Sequence, residues 1–287
     1  MKNILNLCVL AIFTITCLSC ESKKKEPESK QSESKYYTDS IFSSSLSEFR
    51  KHNVYLPKNF DSNLKYPIIY ATDGNNTIEN SFYKTLLDSL INHHIIKPVM
   101  LIVSHSNSKI ADSTSTTTGD GQKVHLQFRN FEYVDRKPTR LEDSMLVNRF
   151  NNHMVYFEDE LITTIENTFR QKLIKEDRYF YGVSNGAGFG MSLLNTYPNT
   201  IGTYICLSTF GGDMQSNLWQ ENVNYPNLYL QYGSEEPFFL KDDADFLKAK
   251  YAELNLFAEV KAFEGGHDYK KWQETFSETI IALFKTE

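Results

Sequence analysis

The sequence predicts an α/β fold with a mostly parallel, doubly wound sheet. Short apolar runs typical of buried strands alternate along the chain with longer segments whose apolar residues recur at helical spacing. The chain has 287 residues, of which 40% are hydrophobic, enough to build one sizeable core. Its net charge of -6 provides no basic surface of the kind that binds nucleic acid, so we expect no nucleic-acid partner.

Strands are predicted where short apolar segments are bounded by polar or turn-forming residues. The stretch YPIIYAT at residues 66–72 is almost continuously apolar, which is typical of a strand that is buried on both faces. The polar, turn-rich residues 106–124 are predicted to be a loop. The predicted strands are residues 52–57, 66–72, 98–104, 178–183, 201–209, 227–233 and 257–263.

Helices are predicted between these strands. They are residues 81–93, residues 152–170, the segment that follows Ser184, and residues 269–285. In the second of them, four apolar residues recur at the spacing of an amphipathic helix: Phe157, Leu161, Ile165 and Phe169. Because strands alternate with helices, the connections are crossovers, and crossovers join parallel strands.

Residues 1–19 are predicted to be an export signal of the bacterial lipoprotein type. Lys2 is followed by a short apolar run that ends at Leu18, and then by a small residue and Cys20. This order describes a signal peptide, and the run is too short for a membrane-spanning helix. We therefore predict that Cys20 becomes the lipidated N-terminus, with plain secretion or a simple anchor helix as the alternatives.

The rest of the chain is predicted to contain a tether and one domain. Residues 20–35 mix both charges with Ser and Pro and carry almost no apolar side chain, so we expect a disordered, charged tether. Residues 36–287 form the predicted domain. Together these features predict a membrane-anchored lipoprotein of the cell envelope, on the periplasmic or the outer surface. Cys206 is the single cysteine of the domain, so no internal disulfide is expected.

A serine lies at the predicted junction between a strand and a helix. Residues 182–186, GVSNG, fit the pattern G-x-S-x-G. In a nucleophile elbow the flanking glycines leave room for a strained turn that lifts the serine hydroxyl above the end of the sheet. Ser184 is therefore the predicted nucleophile. The alternative is a glycine-rich turn with an incidental serine.

A serine hydroxyl needs a base, and histidine is the usual one. Hydrolases built on this elbow carry their residues in the order Ser, acid, His. Of the seven histidines, only His267 follows Ser184. It stands in EGGHDYKKW, after a predicted strand and before the last predicted helix, where its glycine neighbours suit a tight loop. His267 is therefore the predicted base.

The acid that orients this histidine is expected after the preceding strand. Glu236 is three residues beyond Gly233, which ends that predicted strand, and we predict that it is the acid. Four other carboxylates stay open as rivals because they could equally favour the start of a helix: Glu235, Asp242, Asp243 and Asp245.

Two backbone N–H groups must stabilise the oxyanion. One is predicted to be that of Asn185, the residue after the nucleophile, and the other is expected from the loop after the third strand. The stretch YPIIYATDGNN places Gly74 and Asn75 there, so either could be the second donor. His93 and His94 are adjacent on a predicted helix and cannot share one face. No metal or cofactor site is predicted.

With these residues in place, the chain resembles the esterase family of α/β-hydrolases that includes esterase D-type enzymes, feruloyl and acetyl-xylan esterases and enterochelin esterases. The resemblance covers most of residues 50–285. The segments that carry it are VYLPKNFDSNLKYPIIYATDGNN, FRNFEY at residues 128–133, YGVSNGAGFG and GGHDYKKW. FRNFEY resembles the R-x-x-D-Y segment of the family, with Asn130 and Glu132 departing from its common form, and Glu236 replaces the more usual Asp.

The resemblance implies an α/β-hydrolase fold and two-step acyl transfer on a carboxylic ester, with no cofactor. It implies a small-molecule ester, or one carried by a carbohydrate or a siderophore, and we expect residues 105–150 to determine which. Two other functions stay open. An acyltransferase with the same three residues would pass the acyl group to an alcohol, and a binding lipoprotein would use the fold without catalysis.

Overall fold

The computed structural model describes residues 32–75, 81–117, 123–136 and 146–286, without the side chains of residues 112–117. Cys20, the predicted export signal and most of the predicted tether lie outside the described residues. Within the described ranges, no helix is long and apolar enough to cross a bilayer.

The strands lie in two sheets, and the larger one has eight strands. In chain order the strands are β1 (Lys35–Ser43), β2 (Glu48–Leu56), β3 (Ile68–Gly74), β4 (Met100–His105), β5 (Ile110–Thr117), β6 (Lys123–Gln127), β7 (Arg178–Val183), β8 (Thr203–Leu207), β9 (Asn227–Gly233) and β10 (Ala258–Phe263).

The large sheet has the order β1-β2-β4-β3-β7-β8-β9-β10. The pairs β1–β2 and β2–β4 are antiparallel, and every neighbouring pair from β4 to β10 is parallel. The mostly parallel, doubly wound sheet predicted from the sequence is confirmed. Because parallel strands end at the same edge, the loops after β3, β7, β8, β9 and β10 meet at one edge of the sheet, where such folds bind ligands.

Helices cover both faces of this sheet. Leu87 of α1 and Phe276 of α7 pack in one hydrophobic cluster, and Ile165 of α4, Leu194 of α5 and Leu247 of α6 pack in the cluster on the other face. The helices are α1 (Phe82–Asn92), α2 (Phe128–Glu132), α3 (Arg149–Val155), α4 (Ile162–Thr168), α5 (Asn185–Thr196), α6 (Phe238–Glu253) and α7 (Tyr269–Phe284).

Strand β3 shows why a continuous apolar run is required in the centre of the sheet. Ile68 and Tyr70 belong to the cluster with α4, α5 and α6, whereas Ile69 and Ala71 belong to the cluster with α1 and α7. Side chains alternate between the faces of a strand, so both faces of a central strand must be apolar. Each large aliphatic side chain buried in this way contributes about 1.5–3 kcal/mol to stability.

Two predicted features of the connections differ from the structure. Residues 106–124 do not form only a loop, because β5 and β6 pair as an antiparallel hairpin. Ile110 and Val124 of this hairpin are exposed, so no alternation between a buried and a polar face marks it in the sequence. The predicted helix at residues 152–170 starts earlier, with α3, and passes through the π-helical turn Tyr156–Leu161 into α4.

Candidate active site

Ser184 lies at a sharp turn between the end of β7 and the first residue of α5. Its backbone has φ 54° and ψ -128°, a conformation that is strained for any residue with a side chain. A Cβ atom on Gly182 would lie 2.6 Å from the carbonyl oxygen of Gly186, and one on Gly186 would lie 2.3 Å from Oγ1 of Thr72. The two glycines of the G-x-S-x-G segment are therefore required by close packing.

Backbone hydrogen bonds hold the turn on both sides. The Ser184 N–H donates to the carbonyl oxygen of Leu207 at 2.9 Å. The carbonyl oxygen of Ser184 accepts from the N–H groups of Gly188 at 3.0 Å and Phe210 at 3.2 Å. The serine hydroxyl is thus carried on a backbone with little freedom to move.

The structure brings Ser184, His267 and Glu236 into one hydrogen-bonded row. The distance from His267 Nε2 to Ser184 Oγ is 3.0 Å, and the distance from His267 Nδ1 to Glu236 Oε1 is 2.6 Å. A carboxylate only accepts hydrogen bonds, so Nδ1 carries the proton of a neutral ring and Nε2 is left to accept from the serine hydroxyl. This is the arrangement that a serine nucleophile and its base require.

Glu236 is held in its charged form. The buried side chain accepts hydrogen bonds from His267, from the N–H of Gly233 at 2.6 Å and from the Ser208 hydroxyl. Burial raises the pKa of this carboxyl, but the hydrogen bonds from His267, Gly233 and Ser208 outweigh burial, and the net pKa lies below its usual value. Ser208 Oγ in turn accepts from Trp272 Nε1 at 2.7 Å, which extends the chain of hydrogen bonds into α7.

The loops that carry Glu236 and His267 are bonded to each other. Glu235 N–H donates to the carbonyl oxygen of Gly265 at 3.0 Å. Gly265 has φ 123°, which disfavours any other residue, and a Cβ on Gly233 would lie 2.3 Å from the Gly265 carbonyl oxygen. These two glycines let the loop after β9 and the loop after β10 approach closely enough for the acid to reach the histidine.

The rival carboxylates have other positions. Glu235 and Asp242 are exposed. Asp243 accepts a hydrogen bond from Gln215 at 2.7 Å, and Asp245 pairs with Lys241 on the surface of α6. The geometry therefore favours Glu236 as the partner of the histidine.

The predicted oxyanion donors lie at the same edge of the sheet as the serine. Gly74 is the last residue of β3, and Asn185 is the first residue of α5. The close approach of α5 to β3 is shown at Gly186, where a Cβ would lie 2.9 Å from Oδ2 of Asp73. Asn75 follows β3, and its carbonyl oxygen accepts from Asn53 Nδ2 at 2.7 Å.

Arg129 connects these two segments, and sequence reasoning assigned it no role beyond its place in FRNFEY. Its guanidinium donates to both carboxylate oxygens of Asp73, at 2.6 and 2.9 Å, and to Oδ1 of Asn185 at 3.4 Å. It also lies over the ring of Tyr133, 4.7 Å from the centroid. Burial lowers the pKa of Arg129, but its bonds to Asp73 outweigh burial, so the guanidinium is charged.

A buried charge cluster supports α2, the short helix that carries Arg129. Glu132 is completely buried, and its carboxylate accepts two hydrogen bonds from Arg50, at 2.6 and 2.9 Å, and others from Arg149. Glu48 contacts both arginines. Glu132, which departs from the family pattern in the sequence, is thus a fully paired structural carboxylate. In the part of the chain that the structure describes, no group of three or more His, Cys, Asp or Glu side chains is placed to hold a metal ion.

A parallel sheet with this strand order, and a serine on a strained turn after a central strand, define the class of α/β-hydrolases. The family model described as "Putative esterase" matches residues 43–283, and the chain belongs to that family. It is therefore an esterase by class. No curated protein matches the chain.

Solved structures of similar fold include several esterases. A ferulic acid esterase from Anaeromyces mucronatus has 15% sequence identity and a TM-score of 0.61, over 91% of this chain and 95% of that one. S-formylglutathione hydrolase from Staphylococcus aureus has 14% identity and a TM-score of 0.58, over 88% and 97%. Enterochelin esterase from Shigella flexneri has 14% identity and a TM-score of 0.61, over 86% and 57%. At these sequence identities the similarity shows a shared fold and nothing more.

Proposed function

We infer that this protein is a serine-dependent carboxylic ester hydrolase in which Ser184 is the nucleophile, His267 the base and Glu236 the orienting acid. The observation that carries this proposal is the hydrogen-bonded row from Ser184 Oγ through the His267 ring to the ionised Glu236 carboxylate. The membership in an esterase family agrees with it.

The row supports acyl transfer in two steps. His267 Nε2 takes the hydroxyl proton as Ser184 Oγ attacks the ester carbonyl carbon, and the carbonyl oxygen becomes an oxyanion. As the carbon–oxygen bond to the alcohol breaks, His267 returns that proton to the leaving oxygen, and an acyl-serine remains. Water then gives a proton to His267 and attacks the acyl-serine, which releases the acid and restores the serine hydroxyl. Glu236 keeps the imidazole in the required tautomer and stabilises its charged form.

The oxyanion is assigned to backbone N–H groups at the two segments that Arg129 connects. The N–H of Asn185, at the N-terminus of α5, is the first donor, and the N–H of Gly74 or Asn75 after β3 is the second. Such donors act where the charge develops, and removal of one costs an enzyme about 2.7–4 kcal/mol of transition-state stabilisation. The substrate class is a small-molecule ester, or one carried by a carbohydrate or a siderophore, as the names of the solved relatives suggest.

Replacement of the proposed nucleophile is the direct test. In Ser184→Ala, kcat for p-nitrophenyl acetate should fall about 10³- to 10⁶-fold, because only binding and the oxyanion donors remain. A fluorophosphonate probe should label the unaltered protein but not the variant. Ser192→Ala is the matched control, since Ser192 lies on α5 and its hydroxyl bonds only to the carbonyl oxygen of Gly188 in the same helix. A folded Ser184→Ala protein with undiminished turnover would contradict the proposal.

The same assay separates hydrolysis from acyl transfer. Added alcohols should not divert the acyl group when water is the acceptor in the second step. Transfer of most of the acyl group to an alcohol at millimolar concentration would instead identify an acyltransferase that uses the same three residues. Binding of esters without turnover by the unaltered protein would identify a binding lipoprotein.

We assign the protein to the cell envelope, with Cys20 as its lipid-modified N-terminus. The support is the sequence order of Lys2, an apolar run, a small residue and a cysteine, followed by a charged segment. Cys20→Ala should move the protein from the membrane fraction to the soluble fraction, while Cys206→Ala, which changes a cysteine buried in β8, should leave it in the membrane. An intact Met1 or an unmodified Cys20 in the mass spectrum of the mature protein would contradict the assignment.

A further inference from the structure

Three phenylalanine side chains form a continuous surface beside His267. The ring centroid of Phe210 lies 5.4 Å from that of His267 and 5.2 Å from that of Phe239, and the centroid of Phe239 lies 6.1 Å from that of Phe238. Phe239 is 40% exposed and Phe238 is 77% exposed. We call Phe210, Phe238 and Phe239 the phenylalanine ridge. It extends from the catalytic histidine of the proposed mechanism to open solvent.

The two exposed rings are not required by the packing of α6. The helix is anchored in the core by its buried residues Leu240, Ala244, Leu247 and Tyr251. Phe238 and Phe239 are its first two residues, directly after Pro237, and both remain accessible to water. Contiguous apolar surface that stays exposed next to a reactive group is typical of a binding site.

Phe210, the inner ring of the ridge, is held rigidly with respect to the nucleophile. Its N–H donates to the carbonyl oxygen of Ser184 at 3.2 Å, and its own carbonyl oxygen accepts from Asn185 Nδ2 at 3.3 Å. A Cβ on Gly188 would lie 2.1 Å from that carbonyl oxygen, so α5 is packed directly against this segment. A ring held in this way can orient part of a substrate without a further loss of entropy.

The direction of proton transfer decides which part of an ester meets the ridge. His267 Nε2 must return a proton to the leaving oxygen, so the alcohol part of the ester lies against the imidazole, whose neighbour is Phe210. A separate cavity of about 250 Å³ beside Gly74 is lined by both aromatic side chains, such as Phe82, and polar ones, such as Asn53, and it does not include His267 or the ridge. The apolar surface that the leaving alcohol meets is therefore the ridge, because the ridge adjoins the imidazole.

We propose that the phenylalanine ridge binds an apolar, ring-bearing alcohol part of the ester and makes the enzyme selective for such leaving groups. The inference rests on the proposed function, because it uses His267 as the group that protonates the leaving oxygen. Stacking and edge contacts with the exposed rings, together with removal of water from them, supply the selectivity.

The test compares two acetate esters whose alcohols are both primary and of similar basicity. The unaltered protein should have a higher kcat/KM for 2-(2-naphthyl)ethyl acetate than for ethyl acetate. In the double variant Phe238→Ala/Phe239→Ala this preference should fall about 5- to 50-fold, since loss of apolar contact in a specificity site has effects of that order. The value for ethyl acetate should stay within about 2-fold, because its alcohol does not reach the ridge.

Phe257→Ala is the matched control. Phe257 is 49% exposed and contacts the ring of Tyr229, but it precedes β10 at the opposite edge of the sheet. Its loss should leave the preference unchanged. Circular dichroism should show that both variants are folded.

Two results would overturn the ridge proposal while the proposed function stands. One is an unchanged preference in an active double variant. The other is a double variant that keeps its preference for 2-(2-naphthyl)ethyl acetate but loses a preference for ethyl 2-naphthylacetate over ethyl acetate. In ethyl 2-naphthylacetate the naphthyl group is on the acid part, so this result would place the ridge against the acid. Failure of the function itself is distinguishable, because then Ser184→Ala would retain the activity of the unaltered protein toward both acetates, and the ridge proposal would fall with it.

Discussion

Arg129 contacts Asp73 at the end of β3 and Asn185 at the start of α5, the two segments whose N–H groups are proposed to bind the oxyanion. Asp73, its partner, has φ 61°, an uncommon value for a residue other than glycine, and its N–H donates to the Tyr133 hydroxyl at 3.3 Å. The charged pair and the tyrosine hold this turn in place, and the turn sets the direction of the next two N–H groups along the chain. We therefore predict that Arg129 acts through Asp73 and Asn185 as a positioning residue.

Arg129→Met should lower kcat about 10- to 100-fold with little change in KM, because displacement of catalytic groups by about 1 Å can cost 10²-fold in rate. Arg178→Met is the matched control. Arg178 donates in the same two-bonded way to Glu166, at 2.5 and 2.9 Å, but it begins β7 at the edge of the sheet away from Ser184.

Both of these variants should lose thermal stability, since each leaves a carboxylate without its partner. Only Arg129→Met should lose turnover out of proportion to its change in stability. Equal kcat in the two folded variants, measured with one ester at saturating concentration, would show that the Arg129 pair serves the fold alone. Partial recovery of kcat in Arg129→Lys would support the positioning role, because lysine keeps one charged contact with Asp73.

At the scale of elements, the sequence was most informative where a strand is buried on both faces. Strand β7 was predicted at residues 178–183 and is found there, and β3 and β4 lie within two residues of their predictions; β9, which is only partly buried, is also found at its predicted residues 227–233. Apolar runs bounded by turn residues determine such strands without help from distant contacts. The edge strand β1 was not predicted, because it pairs only with β2 and several of its side chains are exposed.

The same reasoning explains which parts of the site could be predicted. Ser184, His267 and Glu236 follow from chain order, since each comes after a strand whose end lies at one edge of the sheet. Ser208, Trp272 and Arg129 were missed as supporting residues because their partners lie far away in the sequence. The bond from Trp272 to Ser208, for example, spans 64 positions. Pattern reasoning has no access to such contacts before the topology is known.

For the whole molecule, three buried histidines are kept neutral. The pKa of His153 is lowered to about 3, mainly by burial, with Glu132 opposing the shift and the charges of Arg50 and Arg149 adding to it. Burial also lowers the pKa of His105 to about 4, and that of His52 lies below its usual value for the same reason. In the unfolded chain such groups titrate near 6.5.

These shifts determine how stability depends on pH. Below about pH 6.5 the unfolded chain takes up protons at these histidines while the folded protein does not, so the free energy of unfolding falls as the pH falls. The stability that each neutral histidine contributes is fully present above the pKa of the unfolded group. It is lost as the pH falls from that value to the pKa of the folded group. For a group whose folded pKa lies well below the unfolded one, such as His153 or His105, the slope approaches about 1.4 kcal/mol per pH unit.

His153→Phe isolates one of these contributions. The ring packs against Tyr133, Tyr156 and Phe189, with centroids at 5.4, 5.5 and 4.7 Å, and neither ring nitrogen has a hydrogen-bond partner, so phenylalanine fits an aromatic environment and removes no hydrogen bond. Between pH 6 and pH 5 the variant should lose about 1.2 kcal/mol less unfolding free energy than the unaltered protein, as measured by urea denaturation. Parallel curves for the two proteins over this range would contradict the prediction. They would mean that His153 is protonated in the folded state and that Glu132, whose carboxylate lies 4.0 Å from Nε2, stabilises its charge.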